Sequence, residues 1–218
     1  MDTNGNFVIT ISRELGSGGR SIGRKLAAEL GVRFCDKALI QSLVEKFNLT
    51  TCEIERIKAQ KKNWLADFLE KVAPVPRAEM MVGPHPLYSE AQVPHQTTSE
   101  ELFAAESEIL NALADEGPCV IAGRSGFFVL KDRPGKVDIF IRASRQTRIE
   151  RVMRRQGLSQ EEAADAIDHV DKGRDNFVRQ FAGVSRYDAR NYDLVLNVDD
   201  LDEDAAVAVI MDFIKRKQ

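Results

Sequence analysis

The sequence has few cysteines, no long apolar run and no large excess of charge. Its three cysteines, Cys35, Cys52 and Cys119, do not have the spacing of a metal site, and the apolar neighbours of Cys35 and Cys119 predict buried, unreactive thiols. No apolar run is long enough to span a bilayer, and the N-terminus lacks the apolar segment of a signal peptide. We therefore expect a cytoplasmic location and no membrane partner. The net charge of -3 gives no reason to expect a nucleic-acid partner.

Apolar and charged residues are both present in ordinary amounts. The chain has 218 residues, of which 43% are hydrophobic and 30% are charged. These proportions are typical of a soluble globular protein with one substantial core. We therefore expect residues 1–218 to form a single domain.

Short apolar segments alternate with helical patterns along the chain. The predicted strands lack a strict apolar–polar alternation, as expected for strands covered on both faces of a parallel sheet; they are Phe7–Ser12, Val32–Cys35, Cys119–Ala122, Val137–Ile141 and Asp193–Asn197. The predicted helices are Ser21–Leu30, 37–72, Ser99–Glu116, Ser144–Gln156 and Asp202–Lys217. This order predicts a doubly wound α/β fold, which binds its ligands at the carboxyl ends of the strands.

Two segments interrupt this alternation. Residues 37–72 form charged amphipathic patterns, and a proline-rich loop over Pro74–Pro94 follows them. The second segment, 157–190, begins with a helix start in which Ser159 is the predicted N-cap and Glu162 its capping-box partner. Several arginines follow, so the basic residues cluster in the second half of the chain.

A glycine-rich loop joins the first predicted strand to the first predicted helix. It contains, in order, Gly16, Ser17, Gly18, Gly19, Arg20 and Ser21. Glycines let backbone N–H groups turn toward an anion, and a helix N-terminus adds partial positive charge. The loop follows the phosphate-binding pattern G-x-x-x-x-G-K-[ST], with Arg20 at the lysine position and Glu14 at the first glycine. The alternative interpretation is a structural turn without a ligand.

Four stretches of the chain together resemble a known family. They are Ile9–Gly23, Leu30–Ile40, Val120–Gly126 and Ile139–Arg179. These stretches resemble the cytidylate kinase-like group of P-loop nucleoside monophosphate kinases. The resemblance implies a three-layer α/β/α P-loop kinase fold with a five-stranded parallel sheet, a helical acceptor-binding segment over 37–98 and a lid over 157–190.

The same resemblance implies an activity and a donor site. The enzyme would transfer a phosphoryl group from ATP, with Mg2+, to a nucleoside monophosphate, with CMP or dCMP as the acceptor. Its partners would be small-molecule nucleotides. Gly16–Arg20 would bind the donor phosphates, with Arg20 in the role of the lysine, because arginine keeps the charge and can bind two phosphate oxygens. The Ser21 hydroxyl would hold the magnesium ion.

Other candidate residues follow the predicted strands. Gly123 and Arg124 would bind the phosphate of the acceptor, although Arg124 could instead form an ordinary ion pair. Asp36 would position the acceptor nucleoside or assist the metal, and its alternative role is a cap for the helix that starts at Lys37.

Within the lid, Arg174 and Arg179 would meet the transferring phosphoryl group, and Asp168, Asp171 and Asp175 would orient these arginines. We expect the lid to be open without nucleotides, with Arg174 far from the glycine-rich loop.

Two further functions are compatible with the altered loop pattern. One is a nucleotide-binding regulatory protein whose kinase activity has decayed. The other is a kinase of a different small acceptor. The number of retained cations at one edge of the predicted sheet favours the nucleoside monophosphate kinase over the regulatory protein.

Overall fold

The computed structural model describes residues 7–36, 99–123 and 125–217. Five strands lie within these ranges: β1 Val8–Arg13, β2 Arg33–Asp36, β3 Cys119–Ala122, β4 Lys136–Arg142 and β5 Leu194–Asn197. The same ranges contain six α-helices: α1 Gly19–Leu30, α2 Ser99–Asp115, α3 Gly126–Val129, α4 Arg145–Gln156, α5 Gln160–Ala182 and α6 Glu203–Arg216. A 3-10 turn spans Ala189–Asn191.

The five strands form one sheet in the order β2-β3-β1-β4-β5. Every neighbouring pair is parallel, so all carboxyl ends of the strands lie at the same edge. Helices cover both sides of the sheet, which confirms the predicted α/β/α fold with five parallel strands. The observed strand ends lie within one residue of the predicted ones. β1 is the central strand, and the glycine-rich loop leaves it at the ligand-binding edge.

The apolar residues of the central strands form the main core. Ile9 and Ile11 of β1 pack in one cluster with Leu26 of α1 and Ile210 of α6, which explains why these segments carry apolar residues at strand and helix spacing. A smaller cluster between α4 and α5 contains Ile149, Val152, Ala163 and Ile167. Cys35 and Cys119 are buried free thiols, as predicted.

The helix boundaries refine the sequence prediction at two places. α1 begins at Gly19, two residues earlier than predicted, so Arg20 and Ser21 lie in its first turn. The capping box of Ser159 and Glu162 is confirmed, and it begins α5, a helix of 23 residues that ends before Gly183. Most of the predicted lid is therefore one continuous helix.

The chain divides into two compact units, one formed by residues 1–40 and 117–218 and the other by residues 41–116. Only residues 99–116 of the second unit are described, and they contain α2, in which Ile109 and Leu113 are buried. The predicted acceptor-binding segment over 37–98 and Arg124 lie outside the described residues. None of the described helices is long and apolar enough to cross a membrane.

Candidate functional site

The loop between β1 and α1 has a backbone that requires glycine. Gly16 and Gly18 have φ values of 83° and 81°, in the left-handed region that only glycine adopts without strain. A Cβ atom on Gly16 would also lie 2.7 Å from the carbonyl oxygen of Arg148. The loop therefore passes directly against the first turn of α4, and no larger residue fits at this position.

The loop leaves backbone donors open at the start of α1. The first helical hydrogen bond joins the Ile22 N–H to the Gly18 carbonyl, at 3.0 Å. The N–H groups of the preceding residues, Gly19 to Ser21, have no acceptor in an earlier helical turn. Gly18 is the N-cap and has no side chain that could cap them. These donors, together with the helix dipole, fit the phosphates of a nucleotide donor.

Ser17 and Glu14 hold the loop in place. The Ser17 side chain is fully buried, and its hydroxyl donates to the Glu14 carbonyl at 2.9 Å. The Glu14 carboxylate accepts from the Ala143 N–H at 3.2 Å and lies 3.6 Å from Nε of Arg148. A glutamate at the first-glycine position of the pattern therefore ties the loop to the start of α4.

Arg20 and Asp36 were predicted in different binding sites, and the structure brings them together. Arg20 Nε and Nη2 lie 2.7 and 2.6 Å from Asp36 Oδ2. The Arg20 side chain is 41% exposed and that of Asp36 is 10% exposed. Because β2 ends at Asp36, this ion pair links the glycine-rich loop to the beginning of the predicted acceptor-binding segment. The catalytic and donor-binding roles of Arg20 and the acceptor-binding role of Asp36 remain predictions.

Ser21 has few neighbours that could share a metal ion. Its hydroxyl lies 3.4 Å from Arg155 Nη2, and no cluster of three or more acidic, histidine or cysteine ligands occurs among the described residues. Magnesium commonly binds through one or two protein oxygens, substrate phosphates and waters. One hydroxyl beside the open amides of α1 fits a magnesium ion that arrives with the donor phosphates.

A buried carboxylate organises the arginines beneath the loop. Asp171 is 6% exposed. It accepts from the Leu15 N–H at 3.0 Å, from Arg148 Nη1 at 2.7 Å and from Arg174 Nη1 at 3.2 Å. The prediction that Asp171 orients lid arginines agrees with these contacts. Asp168 instead binds Arg145, so it orients an arginine of α4.

The two predicted lid arginines have different surroundings. Arg174 Nη1 donates to the carbonyl of Arg13, at 3.1 Å, immediately before the glycine-rich loop. The expectation that Arg174 lies far from the loop is therefore wrong for this structure, because Asp171 and the Arg13 carbonyl hold its guanidinium at the end of β1. Arg179 has a side chain that is 60% exposed and binds Asp175 at 2.7 Å. Its meeting with a phosphoryl group remains a prediction.

The sequence analysis assigned no role to two arginines of this site. The side chain of Arg13 runs past Gly19, where a Cβ atom would lie 2.6 Å from the Arg13 Cβ. Its guanidinium then lies against Gly123, which has a φ of 90°, a backbone conformation that favours glycine. Arg186 is 4% exposed and its Nη2 donates to the Arg13 carbonyl at 2.6 Å. The position of Arg13 directly before the loop could have marked it as a site residue. No feature of the neighbouring sequence distinguishes Arg186 from the other arginines of the second half of the chain.

The chain is similar to solved structures of other proteins and, over part of its length, to the sequence of one further protein. A crystal structure of an uncharacterized protein from Eubacterium ventriosum ATCC 27560 has a TM-score of 0.66 and 21% identity, over 97% of this chain and 99% of that chain. Shikimate kinase from Bacteroides thetaiotaomicron has a TM-score of 0.51 and 14% identity, over 96% and 98% of the two chains. Both likenesses show the fold. A uronate isomerase of Corynebacterium glutamicum is 32% identical over 110 residues.

The extent of each match decides what it shows. The match to the uronate isomerase covers 50% of this chain and 21% of that protein, so the chain spans about a fifth of its length and takes no activity from it. The sequence pattern of the cytidylate kinase-like family instead matches residues 8–200, from the beginning of β1 to beyond β5. This range contains the glycine-rich loop, the Arg20–Asp36 pair and the arginines around Asp171. The chain therefore belongs to the cytidylate kinase-like family.

Proposed function

We propose that the protein transfers the γ-phosphoryl group of ATP to a nucleoside monophosphate, with CMP or dCMP as the acceptor. Membership of the cytidylate kinase-like family and the P-loop kinase fold support a nucleotide or small-molecule kinase. One observation carries the proposal: open N–H groups at the start of α1 lie at the same sheet edge as a set of partly or fully buried arginines. This combination suits a reaction in which phosphates must be held and neutralised.

The glycine-rich loop would bind the donor. The N–H groups of Gly16 and of Gly18–Ser21 would receive the phosphates, and Arg20 would add a positive charge in the first turn of α1. Ser21 would hold Mg2+, which neutralises phosphate charge when it is bound.

The acceptor would bind beside the donor. Asp36 is the last residue of β2, and Gly123 directly follows β3, the neighbour of β1. Arg124 comes directly after Gly123. The Arg20–Asp36 ion pair would couple the two sites, since an acceptor bound at Asp36 would compete for its carboxylate and release Arg20 toward the donor phosphates. The proposed lid arginines, Arg174 and Arg179, would stabilise the charge of the transferring group.

The Arg20–Asp36 pair also favours a second candidate function. If the pair persists with nucleotide bound, the loop pattern lacks its free cation, and the protein would bind nucleotides for a regulatory purpose without transferring phosphate. A kinase of another small acceptor is the third candidate. Whether ADP is released, and with which acceptor, distinguishes the three candidates.

A coupled assay of ADP release with CMP, dCMP, UMP, AMP and GMP tests the proposal. We expect ADP release that depends on magnesium and is fastest with CMP or dCMP. Arg174→Ala should lower turnover on the order of 10³-fold, with a much smaller effect on ATP affinity, because such arginines act mainly on the transition state. Arg190→Ala is the control, since the Arg190 side chain is 89% exposed and its ion pair is with the neighbouring Asp188.

Each other outcome selects a different conclusion. Tight ATP binding without ADP release for any acceptor would favour the regulatory protein. ADP release only with a non-nucleotide acceptor would favour the third candidate. Absence of ATP binding to the wild-type protein would refute the assignment of the glycine-rich loop.

A further inference from the structure

Arg186 places a buried positive charge at the base of the glycine-rich loop. It lies between α5 and the 3-10 turn, far from the loop in sequence, and is 4% exposed. Its Nη2 donates to the carbonyl of Arg13 at 2.6 Å. Because the loop begins at the next residue, Glu14, the guanidinium of Arg186 lies beside the start of the loop.

The charge of Arg186 is incompletely balanced. Its Nη1 is buried and has no hydrogen-bond acceptor within the described part of the chain. The nearest carboxylate oxygen that faces it is Asp171 Oδ1, at 4.0 Å, and that oxygen already accepts from Leu15 and Arg174. Burial lowers the pKa of Arg186 from its usual value. Leaving a buried donor of a charged group unsatisfied is costly and calls for a partner.

The side chain is nevertheless held firmly in place. The Arg186 N–H donates to Asp175 Oδ1 at 3.1 Å, and its carbonyl accepts from the Tyr192 hydroxyl at 2.7 Å. The guanidinium lies over the rings of Phe140 and Tyr187, at 5.7 and 5.4 Å from their centroids. Such contacts fix a cation before a ligand binds, which lowers the entropy cost of binding.

The surrounding charges add up to an excess of positive charge. Three guanidinium groups, those of Arg148, Arg174 and Arg186, face the carboxylates of Asp171 and Glu14. Arg20, which occupies the lysine position of the loop pattern, is engaged by Asp36 instead. The unbalanced charge therefore lies outside the loop sequence, on residues of the second half of the chain.

We propose that Arg186 supplies, from outside the loop, the positive charge that a lysine supplies in the G-x-x-x-x-G-K-[ST] pattern, and that its Nη1 binds a phosphate oxygen of the nucleotide donor. This inference rests on the proposed function, because it requires the loop to bind a nucleoside triphosphate.

Calorimetric titration of the full chain with ATP, inorganic pyrophosphate and CMP tests this role. Arg186→Met removes the charge, and Arg186→Gln removes the charge while keeping a donor for the Arg13 carbonyl. We expect both variants to bind ATP and pyrophosphate about 10- to 100-fold more weakly, the loss typical of a hydrogen bond to a charged group. CMP affinity should stay within about twofold. Arg186→Lys should keep most of the pyrophosphate affinity, and Arg190→Met, the matched exposed control, should behave as wild type.

A purely structural role would give a different result. It would lower thermal stability but leave the ionic-strength dependence of pyrophosphate affinity unchanged, whereas loss of a phosphate contact weakens that dependence. Wild-type affinity for ATP and pyrophosphate in folded Arg186→Met or Arg186→Gln would overturn the inference while the proposed function stands. A loss confined to CMP would overturn it by assigning Arg186 to the acceptor. Failure of the wild-type protein to bind ATP or pyrophosphate would refute the proposed function itself.

Discussion

Replacement of Asp171 by asparagine would remove the negative charge at the centre of the arginine cluster. Asp171 is 6% exposed, and its closest cation, Arg148 Nη1, lies 2.7 Å away. Asparagine keeps an acceptor for the Leu15 N–H, so the loop contact can persist. Removing one partner of a buried ion pair costs about 3–5 kcal/mol, because the remaining charge is uncompensated. Glu14 still lies 3.6 Å from Nε of Arg148, so we expect the lower end of that range, about 3 kcal/mol.

Urea denaturation and thermal unfolding measure this change. A loss of about 3 kcal/mol lowers the midpoint temperature of a domain of this size by roughly 6–12 °C. The urea midpoint should fall without a change in the slope of the transition. Asp168→Asn, one turn earlier on α5, is the matched control, because Asp168 and its partner Arg145 are 60% and 51% exposed and exposed pairs contribute little to stability. Equal effects of the two substitutions, or a wild-type midpoint for Asp171→Asn, would refute the reasoning.

Two further predictions concern the loop backbone and a buried phenol. Gly16→Ala should destabilise the protein more than Gly183→Ala does, because both residues have positive φ but only Gly16 would clash, with the Arg148 carbonyl; equal urea midpoints for the two variants would contradict this. Burial raises the pKa of Tyr192 to about 12, so the stability provided by its neutral form is present below about pH 10 and is lost as the pH rises toward 12. An ultraviolet titration with Tyr192→Phe as reference checks this, and a midpoint near that of a free tyrosine would count against the burial.

The sequence was sufficient for the sheet because strand positions depend on local composition. Short runs of buried β-branched residues, such as those of β1 and β4, show where a parallel sheet forms. The first residues of the helices were harder to predict from the sequence than the strands. Gly18 and Gly19 disfavour a helix by intrinsic propensity, yet the left-handed φ of Gly18 makes it the N-cap of α1. The capping box at Ser159 predicted the start of α5 but not its length, since only Gly183 ends it.

The sequence predicted only part of the site. The predicted residues carry local sequence signals, whereas the others depend on contacts between residues far apart in sequence. The glycine-rich loop and Asp36 are recognisable because glycines and strand ends are local signals. Arg186 reaches the Arg13 carbonyl across 173 residues of sequence, and no property of its neighbours marks it as different from the exposed Arg190. Long-range contacts between arginines and backbone carbonyls become visible only when the sheet brings the segments together.

The Arg13 side chain limits the size of the residue at Gly19, the first residue of α1. A side chain at Gly19 would collide with Cβ and Cγ of Arg13, at 2.6 and 3.1 Å. The Arg13 side chain in turn extends to Gly123, where an added side chain would have to displace the guanidinium group of Arg13. Arg13 thus requires glycine at position 19, and the positive φ of Gly123 favours glycine there independently of this contact. Arg20, at the lysine position one residue further along α1, is bound to Asp36. In the proposed site the additional positive charge therefore comes from arginines of the second half of the chain, including Arg186, whose Nη1 has no acceptor among the described residues.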